Sequence, residues 1–207
     1  MKKILVIGTG GLAREFTAWF SKDVQIIGYL SANQEEHLKF NLPGILYSGN
    51  ITPSLVGTNL VAVAVSSSLI KAKVYKELSE LGFEFPSFIH PSSIVSDIVQ
   101  IEEGVIIAPN CVVSANVRIN KLSYINFCCG IGHDAIIGNF VQINPGSQIG
   151  GFTTIGDSAI IGSGSTILQN LSIGNNAKVG SGSVVFSRVL DNSVVMGNPA
   201  KRMRIFE

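Results

Sequence analysis

Gly130 to Gly151 reads GIGHDAIIGNFVQINPGSQIGG, with isoleucines six apart at 131, 137, 143 and 149. The same step runs without a slip from Ile89 to Val185. It passes through Val95, Ile101, Ile107, Val113, Ile119 and Ile125 before this stretch, and Ile155, Ile161, Ile167, Ile173 and Val179 after it. Seventeen consecutive positions are thus Ile or Val. A period of six is neither helical nor the plain alternation of a strand. It fits a short strand with one branched residue pointing inward, then a tight turn, stacked as a parallel β-helix. Three sides make a coil of eighteen residues, so residues i and i+18 lie one coil apart, about 5 Å. Four places after each inward residue comes mostly a small one, such as Ser123, Ala135, Ser147, Ala159 or Ser183, which suits a corner. Glycine recurs one place after, at 132, 138, 150, 156, 162, 174 and 180.

His133 and Asp134 interrupt this pattern. His133 falls two places after the inward Ile131, which puts it at or near a corner with its side chain facing out. Asp134 can orient an imidazole and raise its basicity. Gly151, eighteen residues beyond His133, leaves a backbone N–H open as an oxyanion donor would be. The competing reading, an ordinary surface histidine on an inert scaffold, accounts for the isoleucines and not for this constellation. A β-helix zinc site needs three converging histidines. The chain has His37, His90 and His133, the first in a different part of the sequence, and Cys129 is placed inward, so no metal is expected.

The first eighty-odd residues follow another grammar. Lys3–Gly8 reads as a strand, Arg14–Ser21 as a helix, Val24–Leu30 and Leu60–Val65 as strands, and Leu69–Leu81 as a helix. Alternating strands and helices suggest a small parallel α/β domain. The expected architecture is a Rossmann-like α/β domain over residues 1–86, then a β-helix with a C-terminal tail over residues 87–207. Gly8-x-Gly10-x-x-Ala13 lies between a strand and a helix, where backbone amides and a helix N-terminus suit a phosphate. An NAD domain would carry an acidic residue after its second strand. Gly28 to Asn33 contains none, so a nucleotide-sugar phosphate is expected there rather than NAD.

Composition narrows the class. Hydrophobic residues make up 46% and charged residues 14%, with a formal net charge of +1, so neither disorder nor nucleic-acid binding is indicated. Apolar runs such as Leu60–Val65 are too short to span a bilayer, and the apolar part of MKKILVIGTGG is short for a signal peptide. Three cysteines without framework spacing fit reduced thiols and a cytoplasmic protein.

Four stretches, GTGGLARE, FIHPSS, INFCCGIGHDAIIGNFVQINPG and MGNPAKRM, carry a resemblance to the hexapeptide-repeat sugar acyltransferases. The match is to the branch with an N-terminal nucleotide-sugar-binding domain: the UDP- or dTDP-linked 4-amino-sugar N-acetyltransferases and the sialic acid O-acetyltransferases. The resemblance implies a left-handed coil, acetyl-CoA as cosubstrate, and a homotrimer in which a neighbour supplies the other wall of the CoA groove. It implies His133 as general base, Asp134 as its acidic neighbour, and Asn126 as an active-site contact to the sugar. Gly151 would meet the thioester carbonyl, and Ser163 and Ser181 would line the CoA arm. Gln142 stands where many relatives have a second histidine near acetyl-CoA. Gly10, Gly11 and Leu12 match the turn around the sugar-nucleotide phosphates. Ser31 stands in for the acidic residues relatives carry after the second strand. Ser66-Ser67-Ser68 with Lys71 replaces the usual Gly-Asp/Asn-Asn…Arg. The expected activity is N-acetylation of the 4-amino group of a nucleotide-linked deoxysugar in surface glycan synthesis. O-acetylation of a sugar hydroxyl, or a non-catalytic nucleotide-binding trimer, are the alternatives.

Overall fold

Each inward Ile or Val of the hexads closes a two-residue strand, as in Tyr124–Ile125, Gly130–Ile131 and Ile136–Ile137. Each strand pairs in parallel with the strand eighteen residues on: Tyr124 with Gln142, Gly130 with Gln148, Ile136 with Thr154. Three sheets result, one for each face of a left-handed triangular prism. In this computed structural model residues 1–203 are described; residues 204–207, the end of the expected tail, lie outside the described residues. The chain divides into two units, Met1–Pro86 and Ser87–Glu207.

The core of the second unit is the inward column itself, Ile107 through Val185, together with the residues four places on, among them Cys111, Ala135, Ala159 and Ala177. Buried hydroxyls in that second set bridge coils: Ser123 Oγ donates to the Gly138 carbonyl (2.6 Å) and Ser147 Oγ to that of Gly162 (2.9 Å). From Gly104 to Gly182 each corner turns through a left-handed residue three places after the inward one, with φ between 51 and 60° wherever that residue is not glycine. The recurrent glycines have a packing reason. A Cβ on Gly132 would stand 2.5 Å from the amide nitrogen of Gly151, and one on Gly138 2.8 Å from that of Asp157. Glycine is thus what lets one coil seat on the next corner. The step shortens at the end, where Val195 pairs with Val179 and Val189 bridges Ile173. Lys201–Arg202 then folds back antiparallel on Val194–Met196 and covers that sheet edge.

The first unit is a four-stranded parallel sheet in the order β3-β2-β1-β4: β1 Lys2–Ile7, β2 Val24–Leu30, β3 Ile45–Tyr47 and β4 Val61–Val63. Helices α1 (Gly11–Phe20), α2 (Gln34–Lys39), α3 (Pro53–Val56) and α4 (Ser68–Glu80) connect them. Helix α1 begins at Gly11, before the expected Arg14, because the glycine turn itself forms its first turn. The sequence reading did not include α2, β3 and α3. They are three to six residues long, and α2 has no buried face to impose a period. Among the described residues no helix is long and apolar enough to cross a membrane, and no group of three or more His, Cys, Asp or Glu could hold a metal ion.

Lys71, on α4, is 1% exposed, and burial lowers its ammonium to about 7. An unfolded lysine titrates near 10.4. Between those values the unfolded chain holds a proton that the folded chain lacks, so stability rises with pH, by at most about 1.4 kcal/mol per unit. The single tryptophan, Trp19, lies on α1 in the same unit. Urea unfolding followed by its fluorescence should give a midpoint that climbs between pH 7.5 and 9.5. Lys71→Met should remove that component of the slope.

Candidate active site

His133 and Asp134 form one corner, between the sheets that hold Gly130–Ile131 and Ile136–Ile137. Asp134 is the left-handed residue there (φ 59°), and its amide donates to the Ala115 carbonyl one coil back (2.9 Å). That turn brings its carboxylate onto the preceding side chain, with His133 Nδ1 2.8 Å from Asp134 Oδ2. Hydrogen bonding from His133, and less strongly from Asn116, holds the Asp134 carboxyl below its ordinary value. An ionised carboxylate only accepts, so Nδ1 carries a proton, and in the neutral imidazole Nε2 keeps its lone pair. The imidazole leans over the next coil: a Cβ on Gly151 would lie 2.9 Å from both Nε2 and Cε1. Phe152 closes the other side, its ring edge-on to the imidazole at 5.2 Å. His133 remains more than half exposed, so a substrate can reach Nε2.

The three corners differ in what happens to the amide two places after the inward residue. On one edge Asn139 N donates to Asp157 Oδ1, Asp157 N to Asn175 Oδ1, and Asn175 N to Asp191 Oδ1, a ladder that spends each N–H. On a second edge Pro91, Pro109 and Pro145 have no N–H, and Phe127 N is taken by Asn126 Oδ1 at 2.8 Å. Gly151, on the His133 edge, and Ser163 and Ser181, on the proline edge, keep amides without a partner among the described residues. Beside Gly151 a shallow groove of about 380 Å³ is lined by Gln148, Gly150, Thr166, Leu168 and Gln169.

One chain does not assemble all the expected residues. His133, Asp134 and Gly151 share one edge. Asn126 and Gln142 belong to the sheet of Tyr124–Ile125 and Gln142–Ile143, and Ser163 and Ser181 to the edge beyond Asn126, a prism face away. Asn126 is 7% exposed. Gln142 Nε2 donates to Asn144 Oδ1 at 3.0 Å, while its Oε1 is buried with no partner among the described residues.

In the first unit Gly10, Gly11 and Leu12, Ser31, and Ser66 follow β1, β2 and β4, so all stand at the carboxyl edge of the sheet. Strand order reverses between β1 and β4, the crevice where open α/β sheets take ligands. Gly8 has φ 102°, and a Cβ there would stand 2.8 Å from Val65 Cγ1, so only glycine fits the turn. Helix α1 has no side-chain cap and no acidic residue in its first turn, so its amides point outward unspent. Ser66 is exposed, just ahead of Ser67, which caps α4.

The stretch after β2 lacks a carboxylate, yet one stands at the turn. Glu36 on α2 accepts from Thr9 Oγ1 (3.3 Å) and lies 3.9 Å from Arg14 Nη1. Thr9 Oγ1 also meets Ser31 Oγ at 3.0 Å, so Ser31 and Glu36 form one polar cluster. Glu36 was passed over because it lies beyond the strand end. The Asn33 cap, whose side chain accepts from Glu36 N, is the signal that a helix returns there.

Similarity to known proteins falls on this same frame. Residues 134–169 and 152–187 match the bacterial transferase hexapeptide (six repeats) family. None of the curated proteins is detectably similar in sequence. Among solved structures, WeeI from Acinetobacter baumannii AYE superposes with a TM-score of 0.80 at 25% identity, covering 98% of this chain and 100% of that one. The acetyltransferase domain of PglB from Neisseria gonorrhoeae FA1090 gives 0.72 at 24% identity, with 98% and 100% covered. A histidine-to-alanine variant of GDP-perosamine N-acetyltransferase from Caulobacter crescentus, solved with CoA and GDP-perosamine, gives 0.67 at 23%, with 99% and 98% covered. The match to the hexapeptide family thus covers residues 134–187. The chain as a whole shares the two-domain fold of these acetyltransferases, the left-handed β-helix included.

Proposed function

We propose that the chain is an acetyl-CoA-dependent N-acetyltransferase that acts on the 4-amino group of a nucleotide-linked amino-deoxysugar, in surface glycan synthesis. One observation carries the reading: an imidazole held at Nδ1 by a carboxylate, with Nε2 free and leaning over an unspent backbone amide. In that arrangement His133 Nε2 accepts a proton as the sugar amine attacks the thioester carbonyl. The C–N bond forms, the Gly151 N–H receives the oxyanion, and the C–S bond breaks to release CoA, whose thiolate takes the proton back. The pantetheine arm is assigned to the groove beside Gly151 and the amides of Ser163 and Ser181. The sugar-nucleotide phosphates are assigned to Gly10, Gly11 and Leu12. Ser31, Ser66 and Glu36 would face the nucleoside, and we place the enzyme in the cytoplasm.

The separation of His133 from Asn126, Gln142, Ser163 and Ser181 supports a composite site. In a homotrimer the His133 edge of one copy would face the Asn126 side of the next, giving three equivalent sites under cyclic symmetry. His133→Ala and Asn126→Ala chains, each strongly impaired alone, should then regain activity when co-refolded. Random mixing makes about one interface in four intact, so about a quarter of wild-type turnover is expected. No recovery from mixed trimers would refute the shared site.

Release of free thiol from acetyl-CoA tests the activity itself. The acceptors are UDP-, dTDP- and GDP-linked 4-amino sugars, with sugars that offer only hydroxyls beside them. Turnover confined to amino sugars supports the proposal. Turnover confined to hydroxyl sugars would make the chain an O-acetyltransferase, and nucleotide binding without turnover a scaffold.

A further inference from the structure

Asn116 lies one coil before Asp134, at the matching left-handed position of the same edge (φ 57°). Its Nδ2 donates to Asp134 Oδ1 at 3.2 Å, while Asp134 Oδ2 faces His133 Nδ1 at 2.8 Å. The two oxygens of one carboxylate are therefore divided between two coils. We infer that Asn116 is a positioning residue for the acetyl transfer proposed above, fixing the Asp134 carboxylate so that its second oxygen holds His133 in the tautomer with Nε2 unprotonated. The inference rests on that functional reading but has its own readout.

A corner explanation for Asn116 also exists, since asparagine tolerates the left-handed conformation better than most residues. On another edge Asn176 donates to Asn192 at 3.1 Å, and no histidine is involved there. The difference lies in the acceptor. A carboxylate on a short, half-exposed side chain can rotate about χ2, and either oxygen can then meet the imidazole or turn to water. A donor fixed on the neighbouring coil removes that freedom. It also leaves Oδ2 as the oxygen nearest the imidazole, which keeps the proton on Nδ1. Among the described residues, His133 is the only ionisable group that bonds to Asp134; the other side chains in contact with the pair are the neutral Asn116 and Phe152, and its backbone contacts, with Ala115 and Gly151, are neutral too.

Two substitutions separate positioning from corner geometry. Asn116→Gly keeps the left-handed turn and removes the amide. Asn116→Asp keeps the shape and sets a second carboxylate against the first. In the positioning role, Asn116→Gly lowers kcat roughly tenfold with the KM values for acetyl-CoA and sugar nucleotide unchanged. Asn116→Asp adds negative charge beside the imidazole, favours its protonated form, and moves the acid limb of the kcat profile to higher pH. Independently of turnover, ¹⁵N NMR of the imidazole nitrogens should show His133 predominantly protonated at Nδ1 in the wild type and a mixed tautomer in Asn116→Gly. Wild-type tautomer, kcat and pH profile in both folded variants would overturn the assignment. Should no acceptor be acetylated at all, the tautomer result still decides the role of Asn116, while the loss of turnover counts against the enzyme reading.

Discussion

His133→Ala should fold, assemble and bind both substrates, and turn over about 10²–10⁴ times more slowly than wild type. The fold should survive because the side chain is more than half exposed and belongs to no part of the inward column. Its loss removes the only base among the described residues whose lone pair leans over the Gly151 amide. A slower reaction should remain, since that amide and the binding groove are untouched. Single-turnover thiol release at saturating substrates reads the chemical step directly. Activity within twofold of wild type in a folded His133→Ala protein would place the chemistry elsewhere on the prism.

The second large effect comes from a single methyl group. Gly151→Ala places a Cβ 2.9 Å from two atoms of the His133 ring and 3.2 Å from a third. The obstructed group is an exposed side chain and not backbone, so the imidazole swings away at little cost to stability. The thermal midpoint should therefore stay within a few degrees, while kcat/KM falls on the order of 10²-fold or more. Two losses coincide: the base leaves its position, and the methyl crowds the amide that would receive the oxyanion. A normal melting curve with normal turnover would show that neither the imidazole pose nor the Gly151 amide matters.

The β-helix was legible because its core is one column at a fixed step. Every inward position tests the same hypothesis, so Ile89 through Val185 overdetermine the answer. His133, Asp134 and Gly151 could be placed on one edge by counting eighteen. The short elements of the first unit were not legible, since α2 and β3 bury too little to leave a period. Glu36 was missed for that reason: its approach to Thr9 is a tertiary contact across 27 residues. Asn116 was missed differently. It sits seventeen residues before His133 but eighteen before Asp134, so it becomes visible only when the carboxylate, and not the imidazole, is taken as the origin.

Stacking at a step of eighteen makes the prism a ruler, and the chain can be lengthened in some places and not in others. A whole extra coil inserted between Ile155 and Val179 would add hydrogen-bonded strands to all three sheets and leave the His133 edge intact. The same eighteen residues inserted between Asp134 and Gly151 would satisfy every strand equally well, yet carry the amide about 5 Å farther from the imidazole. An insertion of one or two residues at that place would turn the edge itself. Selection for activity would thus fix the coil count across a window from Asn116 to Gly151, while the coils beyond it are free to vary in number with the length of the bound donor.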